Sequence, residues 1–257
     1  MRIFFVIIDL GDKMQKKQFD NGNFVLYAPD SLKQIFMNME EILDNSLNLY
    51  KDLFNVKDFR KVQINYFDNI EEFRNYIYDL RGEKESLPDY AVGTYDNGMI
   101  NAYIDPSINI DNPMYNKRTH LASHELFHIM YKELIFDKYN IKRSIWFDEG
   151  CAQLFSGEKE YELNDGFSRW FNEVKKETKE IPDLNSLTHG KNFTNEKYNG
   201  YNLSLFKVKT IYDKIGYEGL KRMLIDSNKV YKNGSKGELE ASFLYYGMIY
   251  KDKGRTF

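Results

Sequence analysis

The sequence has little of what extracellular, membrane and nucleic-acid-binding proteins are built from. Its single cysteine, Cys151, rules out an internal disulfide, and we expect it to be a buried packing residue. No apolar run is long enough to span a bilayer, and residues 1–9 lack the apolar core and cleavage site of a secretory signal. The formal net charge is −3 and no long basic run occurs, so nothing points to nucleic acid. We therefore expect a cytoplasmic protein with no membrane or nucleic-acid partner; its oligomeric state stays open.

Histidine is also scarce, and its placement is the most informative feature of the chain. Two of the four histidines, His124 and His128, bracket a glutamate in an H-E-x-x-H run. Residues 119–136 contain no Gly or Pro, and their apolar residues recur with helical spacing, which predicts a helix. Positions four apart lie on one helix face, so both imidazoles can reach one metal ion, with Glu125 placed to take a proton from water. His120, four residues before His124, shares that face. We expect it to lie beside the metal ligands or to face substrate; a position on the helix surface is the alternative.

A third metal ligand is expected downstream, because catalytic zinc sites usually have three protein ligands and one open position. The metzincin pattern requires a glycine at 131 and a histidine at 134, where this chain has Tyr131 and Leu134. The better candidate is Glu149, in a run that reads as a helix start with acidic residues in its first turn.

The two motifs together resemble those of the gluzincin zinc metallopeptidases, the clan of thermolysin and the zinc aminopeptidases, and in particular the peptidase MA-like group. The resemblance rests on H-E-x-x-H at 124–128 and on Trp-Phe-Asp-Glu-Gly-Cys-Ala at 146–152, and it covers residues 119–157 firmly. It implies an α+β fold with two lobes, 1–158 carrying a mixed sheet over the active-site helix and 159–257 mainly helical. It also implies Zn²⁺ as cofactor and assigns roles to four residues: zinc ligation by His124, His128 and Glu149, and general base catalysis by Glu125.

One position departs from the thermolysin pattern. Where thermolysin has an aspartate supporting a ligand histidine, this chain has Gln153, which adds no negative charge. We therefore expect a somewhat lower zinc affinity than thermolysin has, unless Asp148 takes over that role.

Gluzincins place an edge strand above the motif helix, where it pairs with extended substrate. Residues 90–105 fit that place, because Asp-Asn-Gly at 96–98 between two β-rich runs is a strong hairpin signal. We predict that the backbone groups of Asn101, Ala102 and Tyr103 bind peptide by strand addition, although a purely structural hairpin is the alternative.

Zinc peptidases also need a hydrogen-bond donor for the oxyanion that forms when water attacks the carbonyl. Tyr201 is the favoured candidate, because related sequences often have a tyrosine opening a helix of the second lobe. Tyr198 and His189 remain alternatives.

These residues together predict a zinc-dependent metallopeptidase that acts on peptide or protein substrates. An endopeptidase is favoured over an aminopeptidase, because the Gly-x-Met-Glu-Asn element that grips a free amino terminus has no glutamate counterpart at 96–102. The alternative is a zinc-stabilised module that binds a peptide without cutting it, which the intact Glu125 disfavours.

Overall fold

The structure is a computed structural model, and it describes residues 6–9, 15–82, 87–88, 91–188 and 190–253. It divides into two compact units, Met1–Met130 and Tyr131–Phe257. The expected α+β class is confirmed. The thermolysin-like pair of lobes, 1–158 and 159–257, stays a prediction.

The first unit is built on one six-stranded mixed sheet with the strand order β1-β2-β3-β4-β6-β5. Pairing is parallel for β3 with β4 and for β4 with β6, and antiparallel for the other neighbours. The strands are Val6–Asp9 (β1), Gln15–Asp20 (β2), Phe24–Ala28 (β3), Val62–Phe67 (β4), Gly93–Asp96 (β5) and Met99–Tyr103 (β6).

The predicted hairpin is present as β5 and β6. Its two turn residues, Asn97 and Gly98, have φ of 50° and 74°. Positive φ at both positions is the geometry that a two-residue turn needs to match the twist of its strands, and Asn-Gly adopts it readily.

The strand that carries residues 101–103, β6, is not the edge strand of the sheet. β6 lies between β4 and β5, with Asn101 opposite Asn65 on one side and Thr94 on the other. Its backbone groups are therefore already paired with two neighbours. Among the described strands the edge on this side is β5, so strand addition would have to use Gly93–Asp96.

Four α-helices accompany the sheet in the described chain up to Tyr131. They are Lys33–Leu53 (α1), Ile70–Arg81 (α2), Tyr115–Thr119 (α3) and Leu121–Tyr131 (α4), with a short 3₁₀ turn at Asp30–Leu32. Every residue of α4 is buried, as its apolar composition predicts. α1 helps to fix it, because the Tyr50 hydroxyl donates to the Ser123 carbonyl at 3.1 Å and the Tyr50 ring packs edge-on against Phe127.

The second unit is helical in its described part, apart from one isolated bridge between Thr194 and Asn199. Directly after α4 the chain continues as a π-helical turn at Lys132–Phe136, and 3₁₀ turns lie at Leu184–Ser186 and Gly190–Asn192. The α-helices are Asp137–Tyr139 (α5), Ile145–Ser156 (α6), Glu160–Leu163 (α7), Phe167–Glu177 (α8), Gly200–Met223 (α9), Ser227–Asn233 (α10) and Lys236–Lys253 (α11). None of the helices in the described ranges combines the length and apolar composition that a membrane crossing requires.

α6 and α9 pack at unusually short range. A Cβ atom at Gly150 of α6 would lie 2.5 Å from the Ser204 carbonyl oxygen and 2.6 Å from a methyl group of Val208. Only glycine allows the two helix backbones to come this close.

α9 also buries a lysine in the contact with α11. The Lys207 side chain is 1% exposed, and its ammonium donates to the Glu238 carbonyl at 2.8 Å and the Ser242 hydroxyl at 3.1 Å. Burial lowers the pKa of Lys207 to about 8, although Glu238 partly opposes the shift.

We expect Lys207→Met to stabilise the protein at pH 7 by about 1–2 kcal/mol, because a buried ammonium is replaced by an apolar side chain of similar length. The Glu238 carbonyl would keep the Ser242 hydroxyl as a donor at 2.9 Å. Below pH 8 the Lys207 amine is protonated in both the folded and the unfolded protein. Between pH 8 and 10.5 it is deprotonated in the folded protein but still protonated in the unfolded protein. The gain in stability from Lys207→Met should therefore be largest below pH 8 and should decrease above pH 8. Thermal melts at pH 7 and pH 9.5 measure both effects, with Lys175→Met, an exposed lysine of α8, as control.

Candidate metal centre

The H-E-x-x-H run brings its two histidines together on α4. His124 and His128 are 8% and 4% exposed, and their Nε2 atoms lie 3.1 Å apart. They are one helical turn apart, so their rings converge on the same point, with an interplanar angle of 77°.

Glu149 completes the group. It lies on α6, directly after the first turn of that helix, and is 4% exposed. His124, His128 and Glu149 each offer one ligand atom, and these atoms all lie within 4.8 Å of one another. The three predicted ligands therefore form a buried group that could hold a metal ion.

The donor set fits zinc. Two nitrogen ligands at about 2.1 Å from a tetrahedral ion lie about 3.4 Å apart, close to the 3.1 Å between the imidazoles. A direct N–H···N hydrogen bond would give a similar distance, so the distance between the imidazoles does not by itself indicate a metal. The Glu149 carboxylate is the decisive third donor, because two imidazoles and one carboxylate are a typical set of zinc ligands. Magnesium and calcium prefer oxygen ligands. Other transition metals that bind imidazole fit the same donor set.

Glu125 lies beneath the edge strand of the sheet. It is 8% exposed, and its Oε1 atom is 2.9 Å from where a Cβ would be at Gly93. Leu121, one turn earlier on α4, would be 2.8 Å from the same point. Further along β5, the Tyr95 ring lies 6.0 Å from the ring of His128. The edge strand thus passes directly over the face of α4 that carries the motif.

An arginine contacts the carboxylate of Glu149. Arg143 lies on the segment that leads into α6, and its Nη2 is 3.5 Å from Oε1 of Glu149. Its Nε donates to Oδ2 of Asp148, which is only 1% exposed. The Asp148 side chain is therefore engaged by Arg143.

Gln153 connects the ligand helix to the start of α9. Its Nε2 donates to the carbonyl oxygens of Tyr201 at 3.0 Å and Glu149 at 3.3 Å. The backbones of Glu149 and Tyr201 are therefore neighbours, bridged by one amide nitrogen. The Tyr201 ring packs edge-on against Phe193.

The remaining predicted residues have other surroundings. Tyr198 donates its hydroxyl to the Asn192 carbonyl at 3.2 Å, and His189 lies outside the described residues. His120 is part-exposed at the end of α3, with Nδ1 2.8 Å from the Asn116 carbonyl oxygen. Cys151 is fully buried, as predicted; burial and then the charge of Asp148 raise the pKa of its thiol, which keeps it neutral.

Arg143, Gly93 and Tyr95 were not identified from the sequence. An isolated glycine in a strand is a signal of close backbone approach, so Gly93 could have been found. No local pattern distinguishes Arg143 from Lys142 beside it, because its position only becomes informative once α6 is folded.

Comparison of the chain with models of known protein families and with curated protein sequences found no match.

Proposed function

We propose that this protein is a zinc-dependent metallopeptidase of the gluzincin type, which cleaves within peptide or protein substrates. The observation that carries the proposal is the position of Glu125. It follows His124 directly on α4, and its Oε1 atom is 2.9 Å from where a Cβ would be at Gly93 of the edge strand. A group that only held a metal for stability would have no need of a carboxylate there.

The metal would be held by His124, His128 and Glu149. When bound, zinc supplies Lewis acidity: it polarises a carbonyl oxygen and brings the pKa of a coordinated water to about 7. The water-poor surroundings of the three ligands favour this chemistry, because electrostatic interactions are stronger where water is excluded.

Glu125 would act as the general base. It would accept a proton from the attacking water and later deliver it to the leaving amine. Tyr201 is our candidate donor to the oxyanion, supported by the Gln153 bridge between its backbone and that of Glu149. Tyr198 is a weaker candidate because its hydroxyl is already bonded within its own loop.

The substrate would bind as an added strand on β5. No described strand pairs with the outer side of β5, and Gly93 brings that strand close to the Glu125 carboxylate. Asn101, Ala102 and Tyr103 would then support the edge strand from the inside.

We favour endopeptidase action. An aminopeptidase needs a carboxylate to bind the free amino group, and the acidic residue at the end of β5 is already engaged. Arg81 holds Asp96 through Nε at 2.9 Å and Nη2 at 3.2 Å.

A digest of a diverse peptide library, read by mass spectrometry, tests the proposal. The expected result is internal cuts that disappear with a chelator and return with zinc. Cuts that need a free amino terminus would reverse the endopeptidase assignment. Tight zinc binding without any cut would favour the peptide-binding module instead.

We expect Gly93→Ala to lower the rate of cleavage by about tenfold with little change in stability. The new methyl group would meet the end of the Leu121 side chain and the Glu125 carboxylate, both of which can move aside. Displacing a reacting group by about 1 Å can lower the rate about 100-fold, so a smaller displacement of Glu125 is consistent with a tenfold loss. Rates and thermal melts of Gly93→Ala should be compared with those of Thr94→Val, a near-isosteric change in the same strand. Equal rates for wild type and Gly93→Ala would argue against Glu125 as the base.

A further inference from the structure

Arg143 is a positively charged residue beside Glu149, one of the three candidate metal ligands, and the proposed function gives it no role. Asp148 and Glu149 are adjacent, and their side chains are 1% and 6% exposed. Two neighbouring buried carboxylates need a counter-charge, because an uncompensated buried charge is strongly destabilising. Arg143 supplies one positive charge to both of them.

The two contacts of Arg143 differ in kind. Its Nε donates a hydrogen bond to Asp148, whereas its Nη2 reaches Glu149 only as an ion pair at 3.5 Å. The arginine side chain is 29% exposed, so water can solvate the rest of its guanidinium. Asp148 thus anchors the guanidinium, and the contact with Glu149 is the one that can be given up.

We propose that Arg143 is a positioning residue that sets the metal affinity of this site. Without metal it neutralises and orients Glu149, and it competes with the metal for that carboxylate. Asp148 limits the competition by holding the guanidinium. The inference rests on the metal-binding part of the proposed function and is independent of peptide cleavage.

The charges give the direction of each effect. Arg143, Asp148 and Glu149 together carry one negative charge, and removing the arginine charge leaves two for the incoming cation. If the charge of Asp148 is removed instead, Arg143 loses that partner, and its positive charge competes with the metal for the Glu149 carboxylate. Arg143→Gln should therefore bind zinc more tightly and Asp148→Asn more weakly, each by about tenfold (about 1.4 kcal/mol).

The experiment is a zinc titration in competition with a chromophoric chelator, using the full chain. Lys142→Gln is the matched control, since Lys142 is exposed and precedes Arg143 directly. It should leave the zinc affinity unchanged. Melting curves in metal-free buffer provide a second readout: Arg143→Gln should melt below wild type, and zinc should raise its melting temperature by more than it raises that of wild type.

Arg143→Lys distinguishes the effect of the positive charge from the effect of the arginine geometry. It also provides a test if Arg143→Gln does not fold without metal. Lysine keeps the charge but cannot reach two carboxylates in a fork as arginine does. If charge competition sets the affinity, this variant should stay within about threefold of wild type. Weaker zinc binding by both Arg143→Gln and Arg143→Lys would overturn the proposal and make Arg143 a scaffold only. Unchanged affinity in Arg143→Gln would also overturn it, with the metal site intact. Absence of zinc binding in wild type would overturn both this inference and the proposed function.

Discussion

Glu125→Gln is expected to lower the rate of peptide cleavage by about 1,000-fold and to leave metal binding intact. Glutamine keeps the size and hydrogen-bonding shape of the side chain but cannot accept the proton of the attacking water. General base catalysis contributes about 100- to 10,000-fold to such reactions. Glu125 is not one of the three ligand residues, so the variant should hold zinc as wild type does.

The measurement pairs single-turnover rates on a cleaved peptide with the zinc content of the same preparation. Glu41→Gln, the same substitution at an exposed position of α1, should behave as wild type. Glu149→Ala should lose both zinc and cleavage, because it removes a ligand. Full activity of Glu125→Gln would rule out this mechanism.

The second large effect is expected at the contact between α6 and α9. Gly150→Ala should destabilise the protein by about 2 kcal/mol, although alanine is intrinsically a better helix residue than glycine by about 1 kcal/mol. The new methyl group would lie 2.5 Å from the Ser204 carbonyl oxygen, a backbone atom that moves only if α9 moves. Separating the helices also disturbs Glu149, the neighbour of Gly150, so zinc affinity should fall as well.

Gly247→Ala in α11 is the matched control. A Cβ at Gly247 would meet no atom within 4 Å, so the same substitution should stabilise the protein by up to about 1 kcal/mol. We expect the melting temperature to fall by about 5 °C in Gly150→Ala and to rise by about 2 °C in Gly247→Ala. A neutral or stabilising Gly150→Ala would contradict the close approach of the helices.

Local signals in the sequence were sufficient for the hairpin and for the motif helix of the first unit. The Asn-Gly turn after β5 and the buried character of α4 each follow from a few neighbouring residues, and the structure confirms them. Which strand lies at the edge does not follow from neighbouring residues. Gly93–Asp96 and Met99–Tyr103 are the two strands of one hairpin, and it is the pairing of β6 with β4, some 35 residues earlier in the chain, that leaves β5 at the edge.

The ligand group was accessible from the sequence because metal chemistry restricts both residue type and spacing. His124 and His128 are fixed by the helical repeat, and Glu149 by a short apolar helix. Arg143 and the Gln153 bridge were not accessible, because they depend on side-chain directions in a segment without regular structure and at a helix crossing. The bounds of α11 do not follow from the sequence, because its polar and apolar residues follow no amphipathic pattern: Leu244 and Met248 are exposed, while Leu239 is buried.

The shortness of β5 bears on which polypeptides such an enzyme could accept. Only about two of its four residues can direct backbone groups outward, which allows at most about four hydrogen bonds to an added strand. Each contributes about 1 kcal/mol net, whereas ordering a flexible residue costs about 1–2 kcal/mol. Backbone pairing alone would therefore not hold a flexible peptide. Segments that are already extended, such as loops pinned at both ends or unfolded chains under tension, would lose less conformational entropy on docking and should be cut ahead of short free peptides.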